Sequence, residues 1–270
     1  MKKQSSFLIV VFLLIILISG CKGKQDEIHI VPHHLNQKVY SYETNIDLAF
    51  VTTYEIKTLE NVSLSFNEKS IGDIDGIDVK NYYMFDAYKG YDIFQLTLIL
   101  FNIQGDIFID SVKFDLNETT HTFDTDIRIQ SESKKDVHFF AGPDGGDVIV
   151  PGFASLGFSQ TLKSNSDVKI TDIYFEGTGN FDLNQYIDNI YIDDKILENE
   201  KIMYKGDLFY LEIIPNSLLP KNIMITDQII IEYKDANGKV DIGYVLVPLV
   251  FYSITACSQN HIDFILEKGS

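Results

Sequence analysis

Tyr88-Lys89-Gly90-Tyr91-Asp92-Ile93-Phe94-Gln95-Leu96 returns late in the chain as Tyr204-Lys205-Gly206-Asp207-Leu208-Phe209-Tyr210-Leu211. In both copies a Lys-Gly pair turns the chain, and an aspartate precedes a run whose alternate residues, Phe94 with Leu96 or Phe209 with Leu211, share one face of a strand. Two further blocks keep the same order at an offset of about 115 residues. Upstream, Ile74-Asp75-Gly76-Ile77 is matched by Ile187-Asp188-Asn189-Ile190; downstream, Ile107-Phe108-Ile109-Asp110 is matched by Ile223-Met224-Ile225-Thr226. Strands share composition, so convergent patterning is the competing explanation. Three ordered blocks favour a duplicated unit.

Around these blocks, short runs rich in Ile, Val, Thr, Phe and Tyr alternate with Asn, Asp, Gly and Ser clusters, the grammar of strands and turns. The first half predicts strands over 46–54, 62–66, 93–103, 107–116 and 123–129; the second predicts them over 168–175, 190–192, 208–214, 223–233 and 240–252. Long helical periodicity is nearly absent. Asn237-Gly238 within 234–239 predicts a hairpin with a type I′ turn, both central residues at positive φ. The fold class expected is all-β: two tandem immunoglobulin-like β-sandwiches, each of roughly 100 residues, over 39–133 and 134–270. The boundary is set in the polar stretch 131–136, which few core contacts would cross.

The N-terminus reads as a targeting segment. Lys2 and Lys3 precede an apolar run over 7–18, about twelve residues and too short to span a bilayer. Ile18-Ser19-Gly20-Cys21 resembles the lipobox of bacterial lipoproteins. That resemblance implies cleavage after residue 20, diacylation of Cys21, and attachment to the lipid bilayer through two acyl chains, which hold where a single chain binds only reversibly. Residues 21–38 are then a lipidated cysteine and a polar tether, and His29, His33 and His34 exposed linker side chains. Cys257 is left without a disulfide partner and is expected to be a buried, inert thiol.

The segment 206–213, with Asn216, Ile225 and the turn 235–239, resembles the immunoglobulin-like repeats of bacterial surface lipoproteins and, more weakly, DUF4352-type domains. Those repeats bring no shared active site. Pro215 and Pro220 depart from the layout and imply an altered loop.

Composition narrows the chemistry. The chain has 39 Asp and Glu against 22 Lys and Arg, a net charge of -17, and Arg128 as its one arginine. No basic stripe is available for phosphates, which excludes nucleic acid as a partner. Hydrophobic residues make up 45%, enough for a core and too many for a disordered polyanion. Asp73, Asp75 and Asp78 alternate around Gly76 and are the candidate ligands for Ca²⁺, although the EF-hand order fails at Ile77 and an acidic inter-strand loop is the default. No Gly-x-Ser-x-Gly elbow is present. Tyr82, Tyr83, Phe85, Tyr88 and Tyr91 crowd an expected edge strand, about half of them facing inward. Lack of Trp weakens carbohydrate binding, whereas a protein partner needs none.

The sequence therefore predicts a non-catalytic binding or scaffolding lipoprotein outside a bacterial cell, with an envelope protein or wall polymer as partner. Capture of a solute or metal for a transporter is the alternative, and a wall hydrolase the third reading.

Overall fold

A strand buried on one face needs a second sheet to cover that face, and the first half of the chain supplies both. The computed structural model describes residues 26–39, 43–131, 138–140, 158–177, 181–198, 200–245, 249–251 and 253–269. Strands β1 (Ile28–Ile30), β2 (His33–Val39), β3 (Glu43–Thr52), β4 (Leu59–Phe66), β5 (Gly76–Tyr88), β6 (Tyr91–Phe101), β7 (Asp106–Leu116) and β8 (Thr119–Ser131) form the first unit. One sheet has the order β1-β3-β6-β5, and the facing sheet contains β2-β8-β7-β4. Leu48, Leu96, Leu98, Ile107, Val112 and Ile129 fill the space between them. At the centre Phe50 stacks on Phe94 at 5.3 Å and tilts against Phe114 at 5.6 Å.

The second unit repeats this plan. Its strands are β9 (His138–Phe140), β10 (Phe158–Lys163), β11 (Val168–Phe175), β12 (Ile187–Ile192), β13 (Lys195–Ile196), β14 (Lys201–Met203), β15 (Leu208–Pro215), β16 (Met224–Asp227), β17 (Ile229–Asp235) and β18 (Val240–Val245). The order β10-β15-β12 reproduces β3-β6-β5, and β11-β17-β18-β9 reproduces β4-β7-β8-β2. In both units the first strand of the second sheet runs parallel to the last, β2 to β8 and β9 to β18. Two sheets of this order, with one parallel edge pair, are the immunoglobulin sandwich. The fold is thus all-β and duplicated.

Several expectations are corrected. The supposed tether holds β1 and β2, and β2 lies inside a six-stranded sheet of order β19-β16-β2-β8-β7-β4, where β19 is Leu249–Phe251. It lacks an apolar period because His34, Asn36 and Lys38 lie on one face of β2 and meet polar groups of the second unit, while Leu35 and Val39 on the other enter the first core. The run 223–233 is not one strand: β16 joins the first unit's sheet and β17 the second unit's, with Asp227 and Gln228 buried at the bend. The third repeat block therefore pairs β7 with an insertion, and the true counterpart of β7 is β17. The 39–133 and 134–270 division also breaks down at the C-terminus, where β16, β19 and the helix α1 (Ile254–Lys268) belong against the first unit.

Helix α1 was hidden behind an apolar run that reads as strand. Ser253 caps it by accepting from the Ala256 amide at 3.2 Å, and Cys257, His261 and Ile262 recur at helical spacing on its buried face. It covers Val51, Tyr91 and Ile93, which point away from the first core. The turn at 235–238 differs as well. Gly238 alone takes positive φ there, at 78°, and its amide bonds Asp235 O at 2.9 Å. That makes a type I turn with a following left-handed glycine, a three-residue hairpin rather than type I′.

Gly72 marks where the lead into β5 crosses the β6–β7 connection, paired through Asp73 and Gln104. A Cβ at Gly72 would overlap the Gln104 carbonyl oxygen, and Gly105 opposite it holds φ +75°. Gly72→Ala is expected to cost about 3 kcal/mol, read as a lower urea midpoint at unchanged slope.

Candidate functional site

The densest set of buried polar side chains lies where β16 of the second unit adds to β2 of the first. This parallel pairing is brief, Met224 to His33, Ile225 to His34 and Thr226 to Leu35. Side chains complete the seam. His34 is fully buried; its Nδ1 lies 2.9 Å from Asp126 Oδ2 on β8, and its Nε2 lies 3.4 Å from Asp227 Oδ2 on β16. Asp227 is equally buried, and its Oδ1 accepts from Asn36 Nδ2 at 3.0 Å and from the Gln228 amide at 2.7 Å. Asn36 also reaches the Gly177 carbonyl at 3.3 Å. Lys38 Nζ sits 3.9 Å over the Tyr244 ring. Arg128 forks onto Asp106 at 3.0 and 2.7 Å and reaches Glu176 of the second unit at 3.4 Å. A planar guanidinium suits such a fork better than an ammonium.

The two adjacent histidines have opposite electrostatics. His33 points toward β3, with Nδ1 3.1 Å from the Asp47 carbonyl and Nε2 3.2 Å from Thr226 Oγ1. Burial, helped by the neighbouring His34, pushes its pKa down to about 4. For His34, burial pulls down, but Asp126 and Asp227 together outweigh it and the pKa is raised. On α1, burial and the nearby His29 push His261 down to about 4. The Cys257 thiol is enclosed, unpaired, and shifted upward by burial alone.

The residues singled out from sequence are dispersed. Asp73, Asp75 and Asp78 are exposed. Asp73 Oδ1 accepts from the Ile74 amide at 2.8 Å and Asp75 Oδ2 from Asn102 Nδ2 at 2.8 Å. Among the described residues, no three His, Cys, Asp or Glu side chains gather to hold a metal ion. His33 and His34, expected to be exposed in a linker, are buried in β2. Cys21 lies outside the described residues, and no helix among those described is long and apolar enough to cross a membrane. Sequence reasoning missed the seam. Its trace is the period-two polar pattern His34, Asn36, Lys38 between Val31 and Val39.

The aromatic segment splits as expected. Tyr91 is buried and Tyr82 packs on the first core, whereas Tyr83, Met84 and Phe85 are 43%, 54% and 43% exposed. They sit on β5, which among the described residues bonds only β6 and so ends its sheet. Bulges at Val79/Asn81 and Met84/Asp86 kink this edge, a common guard against indiscriminate pairing. A concavity of about 490 Å³ at β13 and β14 is lined by Ile196, Leu197, Lys195, Glu198 and Lys201. Its charged groups are exposed or half-exposed, a poor start for orienting a small ligand.

No family model matches the sequence, and no curated protein does. Among solved structures, a Porphyromonas gingivalis protein of unknown function is similar over 82% of this chain and 99% of its own, at 10% identity and TM-score 0.21. A membrane-anchored protein of Corynebacterium diphtheriae is similar over 84% of this chain and 54% of its own, at 10% identity and TM-score 0.22. For the major pilin subunit of Bacillus cereus the figures are 84%, 66%, 12% and 0.21. At such scores these likenesses carry no argument. The immunoglobulin assignment rests on strand order alone.

Proposed function

We propose that this chain is a non-catalytic binding or scaffolding module, held outside a bacterial cell by acylated Cys21, and that the β5 edge contacts a protein of the same envelope. The carrying observation is the exposed Tyr83-Met84-Phe85 stretch on a thirteen-residue edge strand. Aromatic side chains on a rigid strand provide contact area at low entropic cost, and an edge strand offers unpaired main-chain groups to a partner strand. The transporter alternative calls for two α/β lobes around a cleft; the described residues hold two sandwiches and the single fifteen-residue helix α1.

The anchor is tested by feeding cells an alkynyl fatty acid. Label on the wild-type chain and none on Cys21→Ser supports it, and equal label on both removes it. For the contact, residues 22–270 are immobilised and offered wall sacculi and detergent-solubilised envelope proteins, with Ca²⁺ and then EDTA. The expected result is one retained membrane protein, lost at least tenfold in Tyr83→Ser/Phe85→Ser while the melting temperature stays put. Retention of sacculi alone would replace the protein partner with a wall polymer. Loss in EDTA would return Asp73, Asp75 and Asp78 as ligands, and no retention at all would end the reading.

A further inference from the structure

We infer that the seam is a proton-operated joint: a single proton on His34 holds β16 of the second unit against the first, and its departure loosens that contact. His34 Nδ1 faces Asp126 Oδ2 at 2.9 Å and Nε2 faces Asp227 Oδ2 at 3.4 Å. Carboxylates only accept, and a neutral imidazole has one N–H, so one of its nitrogens would point a lone pair at an oxygen. Imidazolium is the form that satisfies both. One carboxylate belongs to the first unit's β8 and the other to the second unit's β16, so that proton bridges the two bodies. Its loss would take from the buried Asp227 charge the imidazolium it faces.

The surroundings leave His34 as the group that titrates. Phe181 packs on its ring at 4.8 Å. On β8, Arg128 is committed to Asp106 and Glu176. On β2, Lys38 lies over Tyr244, and His33 is satisfied as a neutral ring, donating from Nδ1 to the Asp47 carbonyl. From β3, the Asp47 carboxylate accepts from Thr97 Oγ1 at 2.6 Å. The raised pKa of His34 agrees with the geometry. Helix α1 packs through Ile262 on Val51, Tyr91 and Ile93 of the first unit, a contact that does not involve His34, so the second unit stays tethered when the seam opens.

The test uses the intact chain, labelled with ¹⁵N at histidine. At pH 7, His34 should show both ring nitrogens protonated, and His33 should show one. As pH rises from the ordinary histidine value of about 6.5 through the raised value of His34, amide protection on β2 and β16, corrected for intrinsic exchange, should fall by up to about tenfold per pH unit and then level off, while β6 and β15 hold theirs. Asp227→Asn offers an amide that a neutral His34 can accept from, so its seam protection should not follow pH. A neutral His34 at pH 7 would overturn the joint. So would protection on β16 that tracks β15 up to pH 10.

Discussion

Asp227→Ala is expected to lower stability by about 3–5 kcal/mol, the largest loss from any single polar side chain in the seam. Three donors converge on that carboxylate, His34 Nε2, Asn36 Nδ2 and the Gln228 amide. Truncation takes a buried acceptor from all three, and from the imidazolium one of the two carboxylates it bridges. A buried ion pair need not stabilise relative to well-packed apolar groups, whereas half of one is costly. The double variant His34→Leu/Asp227→Leu should therefore lose less than the single truncation, with a coupling of about 1–3 kcal/mol in a double-mutant cycle. Urea titration at pH 7 reads both. A single-variant loss under about 1 kcal/mol would mean the seam is wetter and looser than its geometry implies.

Acid should destabilise the protein steeply between pH 6.5 and 4. His33 has a folded pKa of about 4 against 6.5 unfolded, so below pH 6.5 the unfolded chain takes up a proton that the folded one refuses. Stability from this group is complete above pH 6.5 and falls by about 3 kcal/mol by pH 4. His261, also pushed down to about 4, contributes with the same sign. His34 has the opposite sense, its raised pKa adding stability that disappears as pH rises through the folded value. His33→Gln keeps a donor for the Asp47 carbonyl and does not titrate. Its urea midpoint should vary less between pH 7 and 4.5 than that of the wild type, by about 2–3 kcal/mol in unfolding free energy. Parallel acid limbs in the two proteins would place the titration elsewhere.

Strand content and the duplicated plan were legible because turn chemistry and period-two alternation are local: Lys89-Gly90 and Lys205-Gly206 do turn the chain ahead of β6 and β15. What failed were elements whose partner is distant. β2 carries polar residues on a buried face, a pattern that resembles a linker until the second unit is placed against it. Asp227-Gln228 breaks a continuous apolar run because its two halves serve different sheets. Helix α1 shows its period through His261 and Ser258, residues that apolar counting skips although both are buried. The seam was illegible for the same reason: His34 and Asp227 are 193 positions apart.

The position of β16 also orders events during synthesis. The first unit leaves the ribosome early, yet its β2 edge has no permanent neighbour until Met224–Asp227 arrives. From the end of β8 to the start of β16, at about 5–20 residues per second, that edge stays open for roughly five to twenty seconds. An open row of amides and carbonyls beside a half-built core invites pairing with another nascent chain. The polar face of β2, unsuited to a dry interface between identical strands, lets the edge wait for its own late-arriving strand.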